Sequence, residues 1–173
     1  MTRFKLCIFG DSGVGKTTFT RKYLTGVFEE NTKTTIGADL AVKHLEIERK
    51  SVGLQIWDFA GEEHYKVLFP SFVLDAKGGI YMFDITSSDS LKKIKEWLSF
   101  FQDKDHTLWA PILMVGTKID LYEEREVEAE DAVEIARSHK MQGYIECSSK
   151  TGENVQEIFN AITKIMMKRS GII

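Results

Sequence analysis

The segment Gly10-Asp11-Ser12-Gly13-Val14-Gly15-Lys16-Thr17 constrains this chain more than any other. It fits G-x-x-x-x-G-K-[ST] and lies between an apolar run, Phe4–Phe9, and a helix-like stretch, Lys16–Thr25. A strand that turns through glycines into a helix makes a cradle for phosphate. Gly10, Gly13 and Gly15 can take backbone angles that other residues resist. Without side chains, their N–H groups can close around anionic oxygens, and the helix points its positive end at the same anion. Lys16 supplies a full charge at the β- and γ-phosphates, and the Thr17 hydroxyl can ligate Mg²⁺. Asp11, Ser12, Gly13, Val14, Gly15, Lys16, Thr17 and Thr18 are therefore candidate phosphate-site residues. The motif alone chooses neither ATP nor GTP, and neither a switch nor a kinase.

The rest of the chain alternates short apolar runs with amphipathic ones. Ala38–Ile47 and Leu54–Phe59 read as strands of an antiparallel hairpin joined by Glu48–Gly53. Gly79–Asp84, Ile112–Gly116 and Tyr144–Cys147 read as further strands, and Leu91–Phe101 and Glu130–His139 as helices. In Val155–Lys168, apolar residues recur at helical spacing, as at Val155, Ile158, Phe159, Ile162 and Met166. Such alternation predicts an α/β domain with a mostly parallel sheet, which binds ligands beyond the carboxyl ends of its strands. With no repeat or linker-like stretch, residues 1–173 read as one domain.

Three more segments follow predicted strands. Asp58-Phe59-Ala60-Gly61 offers a carboxylate for the Mg²⁺ shell and a glycine that lets a loop approach the γ-phosphate. Thr117-Lys118-Ile119-Asp120-Leu121 offers a carboxylate able to accept both N1–H and the exocyclic amine of guanine, a donor pair adenine lacks. Ser148-Ser149-Lys150 can supply a backbone donor to guanine O6. Each tripeptide by itself is an ordinary loop; their order and placement carry the weight.

Together GDSGVGKT, TIGADL at 35–40, WDFAGEE at 57–63, GTKIDL at 116–121 and ECSSKTGENV at 146–155 resemble the Ras superfamily of small GTPases, most closely its Rab branch. The resemblance spans about residues 4–168. It implies the P-loop NTPase fold of small G proteins: a six-stranded, mostly parallel sheet, one antiparallel edge strand and about five helices. It also implies bound GTP or GDP with Mg²⁺, slow hydrolysis, and exchange-factor, GTPase-activator and effector partners of a monomer. Thr35 then matches the switch threonine that joins Thr17 and Asp58 at Mg²⁺ when the γ-phosphate is present, with Thr34 the adjacent alternative. Phe28 packs against guanine or, alternatively, in the core. Lys118 lies along the base and braces the phosphate loop. Lys16, Gly61 and Glu62 form the catalytic group. Leu40, Trp57 and Phe72 match the apolar triad shown to effectors, with a core role equally open.

The chain departs from the family pattern at four places. Glu62 stands where a water-positioning Gln is usual, Phe59 replaces Thr, and Thr117 replaces Asn, as in Rho-like members. The sequence closes Ser170-Gly171-Ile172-Ile173 without cysteine, so C-terminal prenylation is not expected of it. A shortened chain or a soluble protein is expected, in the cytoplasm or peripheral at a membrane if a lipidated tail follows. Net charge -3 argues against nucleic-acid binding. Cys7 and Cys147 make no disulfide framework, and the four histidines show no zinc-ligand spacing. Two other functions stay open at this point. One is a non-hydrolysing GTP-binding scaffold, favoured if Glu62 disables the chemistry. The other is a small-molecule kinase, which leaves the guanine motifs unused.

Overall fold

The computed structural model describes residues 1–30 and 32–173. Six strands form one sheet: β1 (Thr2–Phe9), β2 (Ala38–Ile47), β3 (Lys50–Phe59), β4 (Gly78–Asp84), β5 (Ile112–Thr117) and β6 (Tyr144–Glu146). Their spatial order is β2-β3-β1-β4-β5-β6. Only the β2–β3 pair is antiparallel, so β2 is the antiparallel edge strand. The helices are α1 (Lys16–Thr25), α2 (Phe69–Phe72), α3 (Ile94–Ser99), α4 (Ala129–Ser138) and α5 (Val155–Arg169).

Strand alternation divides the core into two layers. Phe4, Leu6 and Ile8 of β1 join Ile80 and Met82 of β4 on one face, under Phe19 and Tyr23 of α1 and the apolar stripe of α5. Ring stacking fastens the two helices: Phe159 lies 3.7 Å from Tyr23 and 5.0 Å from Phe19, centroid to centroid. Cys7 and Phe9 face the other way, with Tyr81 and Phe83, toward α2, α3 and α4. There Phe9 contacts Phe69, Tyr81, Trp97 and Phe101 at 4.8–6.0 Å. Pairs of this kind contribute about 0.5–1.5 kcal/mol each beyond burial. Phe59, one of the four departures from the resembled pattern, lies 4.4 Å from Phe69 and is 2% exposed. Aromatic packing explains its presence.

Some boundaries differ from the expected ones. The hairpin turn is two residues, Glu48 (φ 51) and Arg49 (φ 61), so β3 begins at Lys50 rather than Leu54. Positive φ at both positions matches the tight turn whose twist suits a hairpin, although neither residue is the usual Asn or Gly. The helix expected over Leu91–Phe101 is only Ile94–Ser99, because Lys93 (φ -98, ψ 15) breaks from helical angles after a 3-10 turn at Ser88–Leu91. Cys147 falls just outside β6.

Candidate functional site

The phosphate, Mg²⁺ and base motifs of the sequence meet at the carboxyl end of the sheet, around a cleft of about 480 Å³. That is an ordinary size for a ligand site. Ser12, Gly13, Val14, Gly15, Lys16, Thr17, Thr18, Phe28, Thr35, Gly61, Glu62, Thr117, Lys118, Asp120, Leu121, Ser149 and Lys150 line it. Phe28 is half-buried in the cleft wall, not in the core. Asp11, Asp58 and Ser148 lie behind the lining.

The phosphate loop needs its glycines. Gly10 has φ 142, and a Cβ there would meet the Met82 carbonyl oxygen at 2.2 Å. Gly15 (φ 100) starts α1 with no side-chain cap, which leaves N–H groups of the first turn for an anion. Lys16 is 6% exposed, and its ammonium donates to the Asp11 carbonyl at 2.7 Å. Burial pulls its pKa down to about 8 against the pull of Asp58, Asp11 and Glu62. A polyanionic ligand in the cleft would favour the charged form. The Asp11 carboxylate turns away from the cleft and accepts from the Trp97 indole N–H at 2.8 Å. Its backbone, rather than its side chain, serves the loop.

Thr17, Thr35 and Asp58 converge from α1, the segment before β2, and β3. The Thr17 hydroxyl donates to Asp58 Oδ2 at 2.6 Å and lies 2.7 Å from the Thr35 hydroxyl. Thr34 also lines the cleft, but the Thr35 hydroxyl is the one that reaches Thr17. Asp58 is 3% exposed, and its Oδ1 finds no hydrogen-bond partner among the described residues. Burial, only partly offset by Thr17 and Lys16, raises its pKa to about 6. A buried carboxylate oxygen left over beside two hydroxyls fits a hard cation that takes few protein ligands. This all-oxygen set suits Mg²⁺ completed by phosphate and water. No cluster of three or more His, Cys, Asp or Glu suited to a metal occurs among the described residues.

The far end of the cleft is built by β5 and β6. Asp120 Oδ1 accepts from the Ser148 hydroxyl at 2.8 Å, which fixes the carboxylate and leaves Oδ2 to a ligand. Ser148 is wholly buried and acts from behind Asp120. Thr117 turns its hydroxyl inward, toward the carbonyls of Val14 (2.7 Å) and Phe83 (3.1 Å). It pins the phosphate loop to the sheet. Lys118 donates to the Gly13 carbonyl at 3.2 Å and pairs with Asp84 Oδ2 at 2.7 Å. Asp84, whose other oxygen accepts from the Thr86 N–H and hydroxyl, was not singled out in the sequence. It ends β4, just where the other site residues end their strands.

Gly61 lies against the phosphate loop, and the Ala60 N–H donates to the Gly37 carbonyl at 2.8 Å, joining the two segments that flank the β2–β3 pair. Glu62 follows, at the start of a 3-10 turn over Glu63–Leu68, with His64 Nε2 3.5 Å from its Oε2. On the neighbouring surface Leu40 pairs across the hairpin with Trp57, and Trp57 lies 5.5 Å from Phe72. Leu40 is 55% exposed, and the two aromatics are half-buried.

The Ras family model matches residues 5–168. Rab-19 of Xenopus laevis is 34% identical over 167 residues, covering 96% of this chain and 78% of that protein. Mouse Rab-19 is 33% identical over 169 residues, 98% of this chain and 77% of that protein. Rab-13 of the dog is 33% identical over 168 residues, 97% and 82% respectively. A nucleotide cleft of this design and a match of this extent have one reading: the chain belongs to the Ras family of small GTPases and is similar to its Rab members.

Proposed function

We propose that residues 1–173 form one G domain whose cleft binds GTP and GDP with Mg²⁺ and changes shape with the nucleotide. The observation that carries this is the convergence of Lys16, the Thr17–Thr35–Asp58 cluster and a pre-aimed Asp120 on one cleft. Lys16 and the phosphate-loop backbone hold the phosphates. Thr17, Thr35 and Asp58 hold Mg²⁺, which when bound neutralises charge on the β- and γ-phosphates. Asp120 selects guanine, because an analogue without its donors leaves a buried acceptor unmet. Lys118, braced by Asp84, keeps the base site and phosphate loop in register. Thr35 and Gly61 respond to the γ-phosphate and release when it leaves.

Glu62 sets the chemistry apart. A Gln amide can accept a hydrogen bond from the attacking water and donate one to a phosphate oxygen; an ionised Glu only accepts. It also sets a negative charge beside the γ-phosphate. Hydrolysis is therefore slow, and a partner protein carries the acceleration. The Leu40–Trp57–Phe72 patch, open at Leu40 and half-buried at its two aromatics, is the surface for effector proteins, since it lies between the two switching segments. By likeness to Rab proteins, the switch serves membrane traffic from a peripheral position. Among the described residues no helix is long and apolar enough to cross a membrane.

Neither a non-hydrolysing GTP-binding scaffold nor a small-molecule kinase is favoured, since Ras-family members hydrolyse GTP. Single-turnover hydrolysis in wild type, Glu62→Gln and Glu62→Ala tests the slow switch. Faster turnover in Glu62→Gln supports it. No turnover in any of the three contradicts it, and a large loss in Glu62→Ala makes the carboxylate itself catalytic.

A further inference from the structure

Lys66 belongs to the 3-10 turn that follows Glu62, in a segment whose other charged side chains are open to solvent. Its side chain is nevertheless only 6% exposed. The ammonium lies 4.7 Å from the centroid of Trp97, 3.1 Å from a Glu63 carboxylate oxygen and 3.2 Å from one of Glu96. The ammonium makes no hydrogen bond among the described residues, so it is held by the ring face and by the charge of two carboxylates that are themselves open to solvent. Glu63 also pairs with Lys93 at 2.8 Å, but that contact is open to solvent and holds weakly. Lys66 adds a second tie from this turn to α3, through Glu96 and the Trp97 face, with its stem out of solvent.

Trp97 continues the connection. It is fully buried, and the indole N–H bonds the Asp11 carboxylate of the phosphate loop at 2.8 Å. One rigid ring therefore anchors the phosphate loop at its edge and the turn bearing Glu62 on its face. The Tyr65 N–H donates to the Glu62 carbonyl at 3.0 Å, so a shift of Lys66 is passed to Glu62 through a single turn.

We propose that Lys66 is a positioning residue for GTP hydrolysis: lying over Trp97 between Glu63 and Glu96, it holds the turn after Glu62, and with it the Gly61 backbone packed on the phosphate loop, at a fixed place in the cleft. The inference rests on the proposed reading of the cleft as a site of GTP hydrolysis. Neither Lys66 nor Glu96 lines the cleft. Removing the clamp changes the rate constant for hydrolysis and leaves nucleotide affinity alone.

The test compares Lys66→Met, which keeps the apolar stem, with Lys66→Arg, which keeps the charge and the ring contact. Single-turnover hydrolysis with Mg²⁺ falls in Lys66→Met by between about threefold and thirtyfold. GDP and GTP affinities stay at the wild-type level, and Lys66→Arg restores most of the rate. Glu96→Gln, at a more exposed position safe for folding, gives a smaller loss in the same direction. It decides the matter if Lys66→Met does not fold. An unchanged rate in Lys66→Met, or in Glu96→Gln where that variant decides, overturns the inference. So does a Lys66→Arg as slow as Lys66→Met, or a loss of nucleotide affinity in step with rate. Wild-type protein that fails to bind or turn over GTP defeats the reading of the cleft instead.

Discussion

Substituting Gly61 by alanine probes how closely the segment after β3 must approach the phosphates. An ideal Cβ at Gly61 would sit 2.3 Å from the Gly10 carbonyl oxygen, 2.5 Å from the Asp11 carbonyl carbon and 2.5 Å from the Ser12 nitrogen. Ordinary contact for such atoms is near 3.5 Å, so the shortfall is about 1 Å. All three neighbours are backbone atoms of the phosphate loop, and none can rotate aside. The loop is itself pinned by Thr117 and Lys118. The Ala60–Glu62 segment must therefore retreat by about that distance. A misplacement of 1 Å at a reacting centre costs roughly 100-fold in rate, or about 2.7 kcal/mol of barrier. Single-turnover GTP hydrolysis in Gly61→Ala, run beside a GDP affinity measurement, checks it. The rate falls on that order while GDP affinity stays close to wild type, because the base site and Lys16 are untouched. A Gly61→Ala protein that hydrolyses GTP as fast as wild type would refute the steric argument.

Asp120→Asn is expected to weaken GDP binding and improve that of xanthosine diphosphate, whose extra oxygen accepts from the new amide; competition binding with GDP, ADP and xanthosine diphosphate reads it out, and equal affinity of wild type for ADP and GDP contradicts it. Thr35→Ala loses the hydroxyl that meets Thr17 at 2.7 Å. Hydrogen exchange over residues 32–40 then no longer differs between GDP and a nonhydrolysable GTP analogue, as it does in wild type, while GDP affinity holds. Burial lifts the Asp58 carboxyl to about 6. Mg²⁺ needs the ionised form, so Mg²⁺ affinity is full above that pH and drops by up to about tenfold per unit below it. A titration flat from neutral pH down to 5 contradicts this assignment of the ligand.

Much of the fold was legible because the signals were local. Gly10–Thr17, the short apolar runs of β1, β4 and β5, and the stripe of α5 each state their own structure. Asp58, Asp84, Thr117 and Ser148 share one physical rule, since all stand at or just after the ends of strands. What was not legible depends on distant partners. Nothing in the sequence sets Lys66 apart; its burial depends on Trp97 and Glu96, some thirty residues on. Asp11 is a phosphate-site residue by sequence, but that its carboxylate is claimed by the Trp97 indole, 86 residues away, is seen only in the structure. Thr117 sits in a base motif, yet its hydroxyl bonds the carbonyls of Val14 and Phe83. The hairpin connection expected over Glu48–Gly53 is in fact a two-residue turn, not legible because Glu48 and Arg49 carry none of the turn residues their φ values favour.

The central claim is a guanine-nucleotide switch with slow intrinsic turnover. It is tested most directly on one sample of purified protein, by identifying the nucleotide that comes with it and then following hydrolysis of loaded GTP with Mg²⁺ alone. The account predicts a guanine nucleotide, mostly GDP. It also predicts turnover no faster than the order of 10⁻⁴ s⁻¹, a magnitude carried over from Ras itself rather than worked from this structure. An adenine nucleotide in the site, or partner-free hydrolysis on the order of one per second, would contradict it.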